Sequence, residues 1–589
     1  MLLQHAKYIT LKLHSISFHI TGTKKMLHRT MVIPPFLRVI QEKYQDKLAI
    51  RDSYGVHTYE DILTYSKLIS QNILTLADKN RQLNHKTGLL SGERIAFLCS
   101  NDVMYTSIQW AIWMSGGMAV PLAKSHPQSE LDYVINDSQA SLILSNTQSN
   151  ERILPLAKKY NLHTINIDGG LFKDITEKHL LQNYVRITGL DSDINIRKDE
   201  AETFQDKWSA VDWEKRNAML IYTSGTTGRP KGVVVTFSSL QAQIKTIVDT
   251  WGMTSSDVTL HVLPLHHVHG VVNALACPLW SGGSCLMLSE FAVEKVWNHL
   301  LQDDNVNVFH AVPTIYVKLI EHYKKNFTSA AQRNHIRKRL QEKMRVMISG
   351  SAALPQPILN KWKEITGHVL LERYGMTEIG MALTNPLEGK RTPGAVGKPF
   401  PTVEVKLMSA DNKMVVQGDS KQISVNSSIE EKIGQLFVKG PSVFKEYWNK
   451  PEATQEVFNE DGWFMTGDTV MYDEENCIFR ILGRTSVDIV NSGGYKISTL
   501  DIERHFLSHD KIKEVAVVGL PDETWGQLIT AIVVLNEDCF FSLEEMHDWA
   551  KDKMASYHIP KKLKIVDSIP RNAMGKVNKK ELIQEMFSA

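Results

Sequence analysis

Residues 222–232 (Tyr-Thr-Ser-Gly-Thr-Thr-Gly-Arg-Pro-Lys-Gly) combine residue types suited to phosphate chemistry. Glycines let the backbone approach a ligand closely, hydroxyl and N–H groups donate to phosphate oxygens, and Lys231 supplies a positive charge. The segment differs from a Walker loop, because Gly232 follows Lys231 where that loop has Ser or Thr. The sequence therefore predicts a phosphate-binding loop formed by Thr223, Ser224, Gly225, Thr226, Thr227, Gly228 and Lys231.

Further segments with polar or charged residues follow in a fixed order along the chain. They are Ser349–Leu354 (SGSAAL), Glu372–Glu378 (ERYGMTE), Gly462–Asp468 (GWFMTGD) and Pro570–Lys576 (PRNAMGK). Together with the phosphate-binding loop, they resemble the adenylate-forming acyl-CoA synthetases, from about residue 35 to the end of the chain. The resemblance implies that ATP activates an acid as an acyl-adenylate, which then reacts with CoA.

The resemblance assigns a catalytic role to four residues. Activation requires a carboxylate to attack the α-phosphate while pyrophosphate leaves, so charge must be balanced on both sides. Thr223 and Lys231 would hold the departing phosphates, and Glu378 would bind Mg²⁺, a cation that prefers oxygen ligands. Lys576 would bring its ammonium group to the α-phosphate and the bridging oxygen.

The adenosine part of ATP is assigned in the same way. Asp468 would accept the ribose hydroxyls, with Arg484 as a second ribose or phosphate contact. Tyr374 would form one wall of the adenine slot. The other nucleotide contacts implied by the matching motifs are Gly350, Ser351, Ala352, Glu372, Gly375 and Thr377.

In this family a small C-terminal domain rotates after the adenylate forms, withdraws the lysine and presents a second face for thioester formation. The matching segment here includes Gly494, Tyr495 and Lys496, which would contact CoA. A few residues suffice as a hinge for such a rotation, and we place it within Arg484–Asp488.

Within the family, the chain is most similar to members that activate malonate. Leu371–Leu383, Gly440–Lys450 and Gly483–Ile497 carry this similarity. Because the second carboxylate of malonate is costly to bury without a cation or several donors, basic residues are expected near the acid pocket. The candidates are His267, His269, Arg345 and Lys318. Arg345 suits bidentate binding, although a purely structural role for it remains an alternative. Methylmalonate is a plausible second substrate.

Short apolar runs alternate with helix-length segments and must position these residues. Examples of predicted strands are Arg94–Leu98, Ala218–Tyr222, His261–Leu263 and Val308–Ala311. The alternation predicts an α/β fold with mostly parallel sheets, followed by a small mobile α+β domain. We predict a presequence-like segment at residues 1–33, a large adenylate-forming domain at 34–483 and a lid domain at 484–589. The polar stretch Ser409–Lys432 is expected to be an exposed insertion.

Composition limits the other possible functions. The 589-residue chain has a net charge of +2, which argues against nucleic acid as a partner. No apolar run approaches the roughly 20 residues that span a bilayer. The five cysteines form no Cys-x-x-Cys pair, so a structural zinc site is not expected. The expected partners are therefore small molecules: malonate or methylmalonate, ATP and CoA, with no protein partner predicted.

The N-terminus differs from the rest of the chain. Residues 1–41 contain no Asp or Glu but several basic and hydroxyl residues. This pattern predicts a mitochondrial presequence, cleaved before about Pro34, and hence a location in the mitochondrial matrix; a disordered basic tail is the alternative.

The malonate-activating function has two alternatives: a fatty or aromatic acyl-CoA synthetase, and a nucleotide-binding regulator without catalysis.

Overall fold

The computed structural model describes residues 34–79, 89–172, 185–188, 211–223, 229–493, 495–571 and 576–587, with only the backbone at 35 and 185–188. The predicted presequence, Ser224–Gly228 of the phosphate loop, and Gly494 lie outside these residues.

The described strands are β1 (Leu48–Arg51), β2 (Val56–Thr58), β3 (Arg94–Leu98), β4 (Met118–Pro121), β5 (Leu142–Asn146), β6 (His163–Ile167), β7 (Val185–Thr188), β8 (Asn217–Thr223), β9 (Lys231–Thr236), β10 (Val258–His261), β11 (Ser284–Met287), β12 (Val308–Ala311), β13 (Val346–Ser349), β14 (Leu371–Met376), β15 (Gly380–Thr384), β16 (Lys398–Pro399), β17 (Glu404–Met408), β18 (Met414–Gly418), β19 (Ile423–Val425), β20 (Ile433–Lys439), β21 (Glu446–Tyr447), β22 (Phe464–Asp473), β23 (Ile478–Arg484), β24 (Ile489–Ser492), β25 (Tyr495–Ser498), β26 (Ile512–Asp522), β27 (Gly526–Leu535) and β28 (Lys562–Ile565).

The described α-helices are α1 (Pro35–Tyr44), α2 (Tyr59–Lys79), α3 (Val103–Met114), α4 (Gln128–Asp137), α5 (Asn150–Tyr160), α6 (Phe237–Thr250), α7 (Cys277–Trp280), α8 (Val293–Gln302), α9 (Pro313–Asn326), α10 (Ala330–Lys343), α11 (Gln356–Thr366), α12 (Pro451–Gln455), α13 (Thr499–Phe506), α14 (Leu543–Ala550) and α15 (Lys579–Phe587). A π-helical segment, His269–Ala276, precedes α7. Among the described helices, none has the length and apolar character needed to cross a bilayer.

Two sheets with parallel centres and antiparallel edges carry most of the site. One has the order β21-β9-β8-β4-β3-β5-β6-β7, and the other β16-β15-β14-β13-β12-β10-β11-β1-β2. Their central strands are buried along their whole length, as expected for parallel strands covered by helices on both faces. Helix α3 is buried on all sides, and the Asp102 carboxylate caps its first turn by accepting from Met104 N at 3.0 Å.

A third sheet, β19-β18-β17-β20-β22-β23, is entirely antiparallel. Part of it comes from Ser409–Lys432, which is largely exposed or half-buried as expected but contributes the strands β18 and β19 to this sheet. Val415 and Val416 are fully buried and supply the apolar face that the polar neighbours obscured in the sequence. This sheet ends with β22 and β23, which hold Asp468 opposite Arg484.

After Arg484 the chain forms a smaller α+β unit with its own core. Its sheet has the order β25-β24-β27-β26, and β28 pairs with β27. Helix α14 is capped by Ser542, whose hydroxyl accepts from Glu545 N at 3.1 Å. The predicted fold class, a large α/β unit with a small C-terminal one, is confirmed.

Candidate active site

The phosphate loop is held by a β-hairpin whose strands are described on both sides of it. Strands β8 and β9 are antiparallel, and Thr223 lies opposite Lys231. The Lys231 ammonium group lies 4.9 Å from the ring centroid of Tyr447, a residue of the neighbouring strand β21. Thr223 and Lys231 are therefore fixed at the two ends of the loop, where they can face the same ligand.

Asp137 contacts this hairpin, and its role there was not predicted from the sequence. Its carboxylate accepts from Tyr222 Oη at 2.7 Å and lies 3.0 Å from Lys450 Nζ. Tyr133 Oη donates to the carbonyl of Pro230 at 2.7 Å. An acidic residue at the end of a helix carries no sequence signal of such a role, because its partners come from distant segments.

Glu378 lies beside the hairpin in the turn between β14 and β15. It is buried, and its Oε1 atom accepts from Tyr447 Oη at 2.9 Å. Burial raises the pKa of the Glu378 carboxyl, and the Tyr447 hydrogen bond offsets this only in part. This buried carboxylate, which shares Tyr447 as a neighbour with Lys231, is an oxygen donor of the kind that a divalent cation would bind.

Tyr374, Asp468 and Arg484 form one hydrogen-bonded group. Tyr374 Oη donates to Asp468 Oδ2, and Arg484 Nε lies 3.1 Å from Asp468 Oδ1. Arg484 also donates to the carbonyl of Thr466. Burial raises the pKa of Asp468, and the Arg484 guanidinium opposes that rise. The structure thus brings together the three residues predicted for the nucleoside, and the remaining lone pairs of Asp468 can accept ribose hydroxyls.

The other predicted nucleotide contacts follow β13 directly or lie on β14 and in the turn after it. Gly375 has no room for a side chain, since an added Cβ would lie 2.1 Å from the carbonyl oxygen of Gly380. Glu372 turns its carboxylate toward Gly394 N at 3.1 Å, and burial raises its pKa to about 7. Thr377 is half-buried and Ala352 is exposed, so both are accessible to a ligand.

Arg373 is the main functional residue that the sequence reasoning missed. It is only 5% exposed, and its Nε and Nη2 atoms have no hydrogen-bond partner among the described residues. Gly350 makes room for the guanidinium, since a Cβ on Gly350 would lie 2.5 Å from Arg373 Cζ. Burial lowers the pKa of Arg373, as expected for a cation without a neighbouring anion. Its position within the motif ERYGMTE was the available signal, because a charged residue is unusual in a buried strand.

Neutral histidines lie around Arg373. His269 Nδ1 is 3.0 Å from the hydroxyl of Ser351, a residue held at φ +70°, and the His269 Nε2 atom has no partner among the described residues. The His269 and His310 rings are 5.7 Å apart. Burial, reinforced by the Arg373 charge, lowers the pKa of His269 and takes that of His310 to about 3. This buried group therefore offers one cation and several neutral polar atoms to a ligand.

Arg345 and Lys318 have other contacts, although the Arg345 charge also contributes to the lowered pKa of His310. Arg345 makes two hydrogen bonds of 2.9 Å to the carboxylate of Asp257 and one of 2.8 Å to the carbonyl of Trp251. Lys318 is exposed on α9, with its ammonium 5.8 Å from the Phe291 ring centroid. The structural alternative for Arg345 thus accounts for its contacts, and Arg373 becomes the better candidate for binding an anion.

Lys576 from the small C-terminal unit lies at the same cleft. The Lys576 side chain is exposed, yet surrounding groups reduce the hydration of its ammonium and so lower its pKa. The charge of Arg484 lowers this pKa further, and the charge of Asp468 raises it. Its positive charge also contributes to the lowered pKa of His267, after burial and His266. Lys576 and His267 are therefore both close to the nucleotide and acid residues.

A separate aromatic surface surrounds the predicted CoA segment. Tyr495 is 54% exposed and stacks on Tyr557 with ring centroids 4.3 Å apart. Trp525 lies against Gly493 and has the Lys561 ammonium 4.2 Å from its ring centroid. Lys496 is exposed nearby on β25. Exposed rings beside lysines suit a ligand that carries both an aromatic base and phosphates.

The fold and this cleft define an enzyme class. Residues 38–448 match the family described as AMP-binding enzyme, and residues 501–576 match its C-terminal domain. The chain belongs to the AMP-binding enzyme family, so the family predicted from the motifs is confirmed.

Individual relatives are similar over nearly the whole chain. The mitochondrial malonate–CoA ligase ACSF3 of Xenopus laevis is 47% identical, covering 98% of this chain and 95% of the relative. The malonate–CoA ligase of Arabidopsis thaliana is 39% identical, covering 91% and 86%. The crystal structure of ATP-bound MatB from Rhodopseudomonas palustris superposes with a TM-score of 0.76 at 29% identity, covering 94% of this chain and 99% of that one.

Proposed function

We propose that this chain is a malonate–CoA ligase, which uses ATP to form malonyl-CoA and releases AMP and pyrophosphate. The malonate–CoA ligases named above support this assignment because they are similar to the chain along almost all of its length. The observation that carries it is the buried guanidinium of Arg373, whose Nε and Nη2 atoms have no partner among the described residues. A monocarboxylic acid would leave that cation unpaired, whereas the distal carboxylate of malonate would pair with it.

In the first step, a malonate oxygen attacks the α-phosphorus of ATP, the bond between the α-phosphorus and the bridging oxygen breaks, and pyrophosphate leaves. Thr223 and Lys231 hold the departing phosphates, and Lys576 approaches the bridging oxygen where negative charge develops. Tyr374, Asp468 and Arg484 hold the nucleoside. The malonyl group is then joined to AMP as a mixed anhydride.

In the second step, the CoA sulfur attacks the acyl carbon, the bond to the AMP oxygen breaks, and AMP leaves while the thiol proton passes to solvent. We propose that the unit from about residue 484 rotates between the steps, so that Tyr495, Lys496 and Trp525 replace Lys576 at the cleft. The exposure of the Tyr495 and Trp525 rings supports this proposal, because bound CoA could cover them.

Glu378 is the residue that would hold Mg²⁺. Its buried carboxylate has a raised pKa, which a neighbouring cation would lower, and carboxylate oxygen is the ligand that Mg²⁺ prefers. The cation would offset the charge of the departing phosphates.

Methylmalonate is proposed as a second substrate, because one added methyl group changes discrimination by only about 1–3 kcal/mol. The enzyme is proposed to work in the mitochondrion, in keeping with its similarity to mitochondrial malonate–CoA ligases of animals, and specifically in the matrix. Fusion of residues 1–41 to a reporter, followed by a protease-protection assay on isolated mitochondria, tests the location. A reporter that is digested on intact mitochondria would contradict it.

A panel of acids tests the function. We expect malonate to support ATP–pyrophosphate exchange and CoA-dependent AMP release far better than propionate, octanoate or benzoate. A preference for octanoate or benzoate would favour the fatty or aromatic alternative. Nucleotide binding without turnover of any acid would favour a regulator.

A further inference from the structure

A buried ionic cluster lies between the linker after β23 and the segment that carries Lys576. Lys579 Nζ lies 2.7 Å from Asp488 Oδ1, 2.8 Å from Glu503 Oε1 and 2.7 Å from the hydroxyl of Thr499. The Lys579 side chain is only 6% exposed. All three N–H groups of its ammonium thus have an acceptor. This matters because a buried charge that lacks partners would lower the stability of the fold.

The same carboxylates bind the backbone of the linker and the small sheet. Asp488 Oδ2 accepts from Arg484 N at 2.9 Å, and the carbonyl of Asp488 accepts from Thr499 N at 2.8 Å. Glu503 Oε1 accepts from Val517 N at 2.8 Å on β26. Lys579 therefore connects the first residues after the large unit to the centre of the small one.

The ionic cluster is linked to the candidate active site through two different residues, Arg484 and Lys576. At one end, the Arg484 side chain pairs with Asp468 of the nucleoside group. At the other end, Lys579 is three residues after Lys576 and begins α15. A shift of Lys579 would thus move the attachment point of Lys576 relative to Arg484 and the nucleotide.

We propose that Lys579 is a positioning residue, which fixes the Lys576 segment to the Arg484–Asp488 linker so that Lys576 reaches the α-phosphate in a defined geometry. This inference rests on the proposed two-step function. Lys579 touches none of the reacting atoms and acts through Lys576. Its loss affects adenylate formation much more than thioester formation, because Lys576 takes part only in the first of these steps.

The experiment measures the two half-reactions separately in the full-length protein. ATP–pyrophosphate exchange with malonate reports adenylate formation, and release of malonyl-CoA from preformed malonyl-adenylate and CoA reports the second step. In Lys579→Met we expect exchange to fall roughly 10²-fold, the scale expected for misplacement of a catalytic group by about 1 Å. Thioester formation should change less than about threefold, and Lys579→Arg should recover part of the exchange.

Combination with Lys576→Met distinguishes positioning from general stability. If Lys579 acts through Lys576, the double variant should exchange no more slowly than Lys576→Met alone. Lys511→Met serves as the control within the small unit, because it removes a partly exposed ion pair with Glu545 at 2.6 Å, and it should leave both half-reactions unchanged.

Where Lys579→Met is not obtained in folded form, Glu503→Gln provides the second test. It keeps the size of the side chain, removes one charge from the cluster and should show a smaller loss in the same half-reaction. Equal losses in both half-reactions, no loss in either, or a further loss in the double variant would each overturn the proposal. Absence of exchange in the wild-type protein would instead refute the proposed function.

Discussion

Replacement of Arg373 by methionine should reduce malonate use and raise the stability of the enzyme without ligand. Methionine keeps much of the side-chain length while removing a buried charge whose Nε and Nη2 atoms have no partner among the described residues. Breaking a buried ion pair by removing one partner costs about 3–5 kcal/mol, and each 1.36 kcal/mol corresponds to a tenfold change in rate. We therefore expect kcat/KM for malonate to fall by roughly 10²- to 5 × 10³-fold.

The assay is ATP–pyrophosphate exchange with malonate and with propionate, which lacks the second carboxylate. Activity with propionate should be kept or improved in Arg373→Met, because its methyl group no longer faces an unpaired cation. Thermal unfolding without ligand should shift upward, since replacing an uncompensated buried charge by an apolar group is often stabilising.

Arg345→Met provides the matched control. It leaves the Asp257 carboxylate without its guanidinium partner, so it should lower the unfolding temperature. Among the molecules that remain folded, the malonate-to-propionate ratio should be close to that of the wild type. The reasoning about Arg373 is refuted if Arg345→Met changes this ratio while Arg373→Met does not.

Three further predictions concern the other parts of the cleft. Lys576→Ala should lose adenylate formation yet convert preformed malonyl-adenylate and CoA to malonyl-CoA; unchanged overall turnover would contradict its role. Trp525→Ala should raise the KM for CoA by roughly 5- to 100-fold, from a stacking energy of about 1–3 kcal/mol, while leaving pyrophosphate exchange intact. Burial raises the pKa of Glu372 to about 7 from an ordinary 4.5, so its contribution to stability is present below pH 4.5 and is lost as the pH rises toward 7. Glu372→Gln should therefore increase the unfolding temperature more at pH 8 than at pH 5, by on the order of a few °C, and an equal change at both pH values would contradict this.

Several elements were predicted well from local sequence. The strands Arg94–Leu98 and Val308–Ala311 have the predicted bounds, because continuous apolar runs between turns indicate buried strands whatever their partners. The strand predicted at His261–Leu263 instead covers Val258–His261. The alternating residues Val-Thr-Leu-His are a weaker sequence signal for a strand than the apolar run that follows them. Pairing with β11 and β12 sets where this strand begins and ends.

The sequence by itself determined the chemistry of this protein. The residue types of Thr223–Gly232, and the order of the later motifs, identify an adenylate-forming enzyme, because phosphate and nucleoside binding use short segments of contiguous chain. Only the tertiary structure distinguishes the basic residues that could face the acid. Arg345 and Arg373 are both arginines on neighbouring parts of one sheet, but Arg345 pairs with a distant carboxylate, whereas Arg373 is more deeply buried and its Nε and Nη2 atoms have no partner among the described residues. Asp257 lies 88 residues from Arg345 in sequence, so this difference arises only when the chain has folded.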